Sequence, residues 1–104
     1  MTAMNNIDRI PPRLTGQRAE VMQILREYAS RNVPCYSLNL TGECSIPEAA
    51  ARVHELRQMG FNVIPIIHPE IIYKGRSRRR IAQYVIGSPE WPRPGYFNDE
   101  GEAA

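Results

Sequence analysis

The 104-residue chain is 42% hydrophobic and 23% charged with a formal net charge of +2, which excludes wholesale disorder and leaves room for one small domain. No apolar run approaches the roughly 18 residues that span a bilayer. The opening MTAMNNIDRIPPR lacks the apolar core of a signal peptide, so no membrane partner and a cytoplasmic location are expected. Two cysteines, Cys35 and Cys44, make no disulfide framework, and with His54 and His68 they fit no common zinc spacing. Reduced thiols and no metal are expected.

Residues 1–14 lack periodicity, end near Pro11-Pro12 and are expected to form a flexible arm. The arm is expected to be a frayed terminus, with minor-groove contact by Arg9 and Arg13 as the alternative. A first helix is predicted from Gly16 to Ser30, with Thr15 as N-cap and Leu14 ahead of it as a staple against Ala19. Val21, Met22, Leu25, Tyr28 and Ala29 recur at helical spacing and form a core stripe. Arg31-Asn32-Val33-Pro34 ends the helix, because the residue before a proline avoids the α region.

Ser37 can cap a short helical segment holding Leu38 and Leu40, and Thr41-Gly42-Glu43 supplies a turn. A longer helix is predicted over 46–59. Ser45 is its N-cap and Glu48 completes an S-x-x-E capping box, with Pro47 in the first turn and Gly60 as the left-handed stop. Ile46, Ala50, Val53 and Leu56 give its apolar face, and Glu48, Ala51, Arg52 and Glu55 the opposite one. A short helix braced against a longer, outward-facing one is the geometry that enters a DNA major groove.

After Gly60 the pattern turns β-branched. Phe61 to Ile67 reads as a strand that Pro65 places at an edge and His68-Pro69 breaks. Ile71 to Tyr73 extends it, Lys74-Gly75-Arg76-Ser77 turns, and Arg79 to Ile86 returns. Two strands joined by a basic loop describe a wing. The predicted architecture is therefore α+β, mainly α: a winged helix-turn-helix over 15–87 in the order α-α-α-β-β. Residues 88–104 form an irregular tail, rich in proline and glycine, whose Trp91, Tyr96 and Phe97 either tuck back or dock a partner. Asp99, Glu100 and Glu102 sit in that tail. Without them the chain holds 13 basic against 8 acidic residues, and five of the basic ones fall between Lys74 and Arg80.

The run Ser45 to Val63 (SIPEAAARVHELRQMGFNV) resembles the recognition-helix segment of small helix-turn-helix proteins common in bacteriophages and prophages: Ala-Ala-Arg, an aliphatic residue, Leu-Arg, then Gly, an aromatic and a strand. The later Arg80 to Ile86 resembles that family's last strand. The resemblance spans about residues 16–86, implies a winged helix that binds DNA, and carries Arg52 over as a contact residue; the chain differs at Pro47-Glu48. On the residues themselves, Arg52 can meet guanine O6 and N7 in bidentate fashion or clamp a phosphate. Ser45 and the N–H groups beside Pro47 can hold a phosphate. Glu48 either caps or accepts from a cytosine amine, Ala51 shares the exposed face, and Glu55 pairs with Arg52 or Arg57. Lys74, Arg76, Arg78 and Arg79 neutralise phosphates from the wing, while Arg80 turns towards the domain edge.

No phosphate-cradling glycine loop, zinc-protease motif or paired nucleophile and base is present, so neither catalysis nor a cofactor is expected. The reading is a phage-type transcriptional regulator on double-stranded DNA, with a homodimer built through the first helix, the arm or the tail. Alternatives are an architectural factor that bends DNA, such as a recombination-directionality protein, and a winged-helix module that docks a protein.

Overall fold

Helix α1 covers Gly16–Ser30, as the pattern predicts, and buries Val21, Met22 and Leu25, whereas Ala29 lies outside the core. Thr15 has the extended backbone of an N-cap, without a side-chain bond. The helix ends in a Schellman motif: Asn32 is left-handed at φ 56°, its N–H donates to Ala29 O at 3.0 Å, and Val33 N–H donates to Tyr28 O at 3.0 Å. The computed structural model describes residues 9–97, so expectations that fall on residues 1–8 and on Asp99, Glu100 and Glu102 lie outside the described residues.

The second helix, α2, is a single wide π-type turn, Asn39–Glu43. The Asn39 side chain, not Ser37, opens it by accepting the Tyr36 N–H at 2.8 Å. Thr41-Gly42-Glu43 lies within the turn, and Ser45 closes it in the left-handed region while Ile46 N–H donates to Leu40 O at 2.8 Å. Ser45 is thus used up as the end of α2, and this corrects the predicted capping box. Helix α3 is Ala49–Gln58, shorter than 46–59; Glu48 precedes it with φ 49°, and no side chain caps it. Its far end follows the prediction. Gly60 has φ 96°, Gly60 N–H donates to Arg57 O, and Phe61 N–H donates to Leu56 O at 3.0 Å.

The predicted core face of α3 needs one change. Ala49, Val53 and Leu56 are buried and Ala50 is exposed. These three join Val21, Met22 and Leu25 of α1, Leu40, Ile46, Phe61, Val63 and Tyr84 in one cluster. Each large side chain there stabilises the fold by about 1.5–3 kcal/mol through burial.

Strand β1 runs Val63–Tyr73 and pairs antiparallel with β2, Arg76–Ile86. His68-Pro69 does not break it. The ladder skips only Pro69 and the residue facing it, Arg80, which takes a left-handed φ of 55° and absorbs the irregularity. The turn is only Lys74-Gly75, with φ of 51° and 76°, the pattern of a type I′ turn. On its other side β2 meets the Cys35–Tyr36 segment: Tyr84 N–H donates to Cys35 O at 2.9 Å and Tyr36 bridges Gln83. Since the Tyr84 N–H points away from β1, its partner Pro65 also faces outward, and Pro69 lies in the same phase. β1 is therefore the free edge, with prolines where edge N–H groups would stand.

After β2 the chain returns across the α3–β1 junction. Asn62 N–H donates to Glu90 O at 2.8 Å, Arg93 N–H to Gly60 O at 2.7 Å, and the Trp91 indole to Met59 O at 2.9 Å. Trp91, Tyr96 and Phe97 stack edge to face, with Arg9 4.4 Å above the Phe97 ring, and Arg26 forks onto Glu90 at 2.6 and 3.1 Å. Of the two readings of these aromatics, the structure has them tucked back.

Candidate nucleic-acid interface

The register of α3 decides what it offers to a groove. With Ala49, Val53 and Leu56 inward, the 3.6-residue period turns Pro47, Ala50, His54 and Gln58 outward, and all are exposed. Ala51 is half-buried on the same side. Ser45 and Glu48 are exposed at the turn that leads into the helix.

Arg52 is not on the outer face, which corrects its predicted placement. The position flanks the inward stripe on the side of α1, and its guanidinium donates to Gln17 Oε1 at 3.2 Å and to Glu55 Oε2 at 2.9 Å. Its Nε is buried without a partner among the described residues. Glu55 also faces Arg18 at 3.6 Å. This knot ties the start of α1 to the middle of α3. Arg52→Ala is accordingly expected to lower stability by about 1 kcal/mol, seen in urea denaturation, while the salt dependence of DNA binding keeps its slope.

The cations of the hairpin are all at its far end. Lys74, Arg76, Arg78, Arg79 and Arg80 are exposed, so Arg80 does not turn into the domain. Alternation along β2 sets Arg76 and Arg78 on one face of the ribbon and Arg79 on the other, with Lys74 in the turn. Two contacts fix this end. The Ser77 hydroxyl donates to Glu70 across the strands. The Tyr73 hydroxyl donates to Glu43 Oε2 at 2.7 Å, and the Asn39 amide donates to the same oxygen at 3.2 Å. The Tyr73 phenol is pushed up to about 12 by the Glu43 carboxylate. In return the phenol, helped by Asn39 and the charge of Lys74, holds the Glu43 carboxyl below the usual carboxylate range. Glu43 thus stays ionised near neutral pH and keeps the hairpin docked on α2.

The cysteines have another character. Burial pushes the Cys35 thiol up to about 12, Cys44 is raised for the same reason, and both are free thiols, Cys35 within the core and Cys44 packed against it. His68 meets Gln83 at 2.7 Å and the edge of the Tyr36 ring. Among the described residues, no three His, Cys, Asp or Glu side chains converge on one point where a metal could sit. Nor is any described helix long and apolar enough to cross a membrane.

Sequence reasoning missed His54, Arg57 and Gln58 as outward residues of α3. The signal was available: Ala49 stands four residues before Val53 and seven before Leu56, so phasing from those two larger side chains selects Ala49 over Ala50.

A short helix, a tight turn, a longer helix with one face in water, and a hairpin with cations gathered at its end together define a DNA-binding domain of the winged helix-turn-helix class. Residues 16–89 match the family of the winged helix-turn-helix domain, and the chain belongs to it. Neither a curated protein nor a solved structure matches the chain.

Proposed function

We propose that this protein is a transcriptional regulator of the phage or prophage type that acts in the cytoplasm on double-stranded DNA. In this reading α3 enters the major groove and the hairpin end grips the backbone beside it. The observation that carries it is the set of exposed cations Lys74, Arg76, Arg78 and Arg79 at one end of a docked, twisted ribbon. A solvated charge run would not need an anchored end.

On α3, the small Ala50 and Ala51 let the helix backbone approach the groove floor, and Gln58 and His54 have the length to reach base edges. A glutamine amide can pair with adenine N6 and N7. Ser45 and Pro47 at the entry turn lie close to the phosphates in this docking. Glu48 serves discrimination there rather than affinity, since a carboxylate repels phosphate. Arg52 and Glu55 hold the helix in place from behind. A pseudo-palindromic target calls for two copies of the chain.

The test is binding to random-sequence duplex across a salt series. Wild type is expected to weaken steeply with salt, and Arg76→Ala/Arg78→Ala to lose about 0.9 of a log–log unit of slope for each phosphate contact removed. Absence of binding at low salt overturns the proposal.

A further inference from the structure

The hairpin end carries more than charge. Ile72, separated from the turn pair by Tyr73, is 70% exposed, the highest exposure among the large apolar side chains of the described residues. It shares the outer face of the ribbon with Ser77, its cross-strand partner, and with Arg79 and Glu70, whose carboxylate accepts the Ser77 hydroxyl. The opposite face bears Tyr73, which is fastened to Glu43, and Arg76 and Arg78. An isoleucine is thus presented on a fixed mount, with Lys74 at the turn ahead of it, Arg79 diagonal to it on its own face, and Arg76 and Arg78 on the opposite face.

The cations on both faces are exposed and so able to meet phosphates on both sides of the ribbon, with Tyr73 holding one of those faces to α2. A ribbon lying flat on the outside of a duplex would use one face and leave Ile72 in water. A ribbon inside a groove uses both. With α3 in the major groove, the groove next along the duplex is the minor one, about 6 Å wide. Two backbones about 4.8 Å apart with side chains on either face do not fit that width. Entry requires the groove to open, and an apolar side chain pushed between base steps opens it by unstacking them.

We propose that the end of the hairpin opens and kinks the minor groove, with Ile72 as the wedge and Lys74, Arg76, Arg78 and Arg79 holding the two phosphate rows. This rests on the DNA-binding reading above and adds to it what the protein does to the shape of its target. The deformation also selects sequence, since pyrimidine–purine steps unstack most readily.

The experiment uses a duplex carrying a fluorophore at each end, with energy transfer measured at saturating protein. Wild type is expected to shorten the end-to-end distance by an amount that corresponds to a kink in the range of about 20–90°. Ile72→Ser is expected to return most of that distance while affinity changes by less than about tenfold, because the phosphate contacts remain. Ile72→Leu keeps the kink. Equal melting curves for the three proteins confirm that the exposed site is not a folding determinant. A duplex that is bound by wild type but stays straight overturns the wedge, as does an Ile72→Ser complex as bent as wild type. A wild type that fails to bind the duplex at all overturns the DNA-binding reading instead, and the wedge with it.

Discussion

Leu56→Ala is expected to cost about 3–5 kcal/mol, the range for a large aliphatic side chain cut from a closed core. Leu56 is fully buried at the centre of α3 and packs in the same cluster as Met22, Leu25 and Phe61. Its carbonyl also accepts the Phe61 N–H that closes the helix. No exposed side can collapse into the space, because α1, α3 and the start of β1 all border it. Small domains sit near the low end of the usual 5–15 kcal/mol of stability, so most of it is lost. Thermal denaturation followed by circular dichroism should place the midpoint at least ~12 °C below wild type, at about 4 °C or more per kcal/mol. A midpoint within a few degrees of wild type would mean that α3 is not seated on this core.

Gly60→Ala is expected to cost about 2–4 kcal/mol through two separate effects. The backbone at φ 96° is strained for any residue with a Cβ. The added methyl would stand 2.8 Å from the Trp91 indole nitrogen and 2.9 Å from the Tyr96 ring, so the aromatic cover must shift. That shift breaks the bond from the indole to Met59 O. Trp91 is the sole tryptophan, so its emission reports on this site alone. The variant should show a red-shifted spectrum under conditions where α3 keeps its helical signal. An unmoved spectrum would show that the cover tolerates the methyl.

Much of this was legible because local signals agreed with one another. The α1 stripe apart from Ala29, the end of that helix before Pro34, the Gly60 cap, the β-branched strands and the edge position of Pro65 each rest on chain-local chemistry, and each appears where the pattern put it. The misreadings have more than one cause. Ser45 satisfies the rule for an N-cap and equally the need for a left-handed residue that closes the turn before; the choice between them was made by burial of Leu40 and Ile46, which pull the two sides of that residue together. His68-Pro69 has the composition of a break, yet the ladder runs through because Arg80 opposite yields instead. Arg52 looked outward on a helical wheel, but a wheel does not show where α1 crosses, and the crossing brings Gln17 and Arg18 to that flank. Partners more than ten residues away decided Pro69 and Arg52, whereas at Ser45 two local rules compete within the seven residues from Leu40 to Ile46.

The edge prolines bear on how this protein survives at high concentration. Ile64, Ile66, Ile67 and Ile72 are exposed on the hairpin, in a strand with the composition that seeds cross-β aggregates. A second ribbon seeking to zip along β1 would find no donor at Pro65 or Pro69, and would have to bridge both gaps before gaining a continuous ladder. The same two residues that mark the strand as a border therefore act as gatekeepers against fibre growth, and they let the hairpin keep its apolar outer surface without becoming self-adhesive.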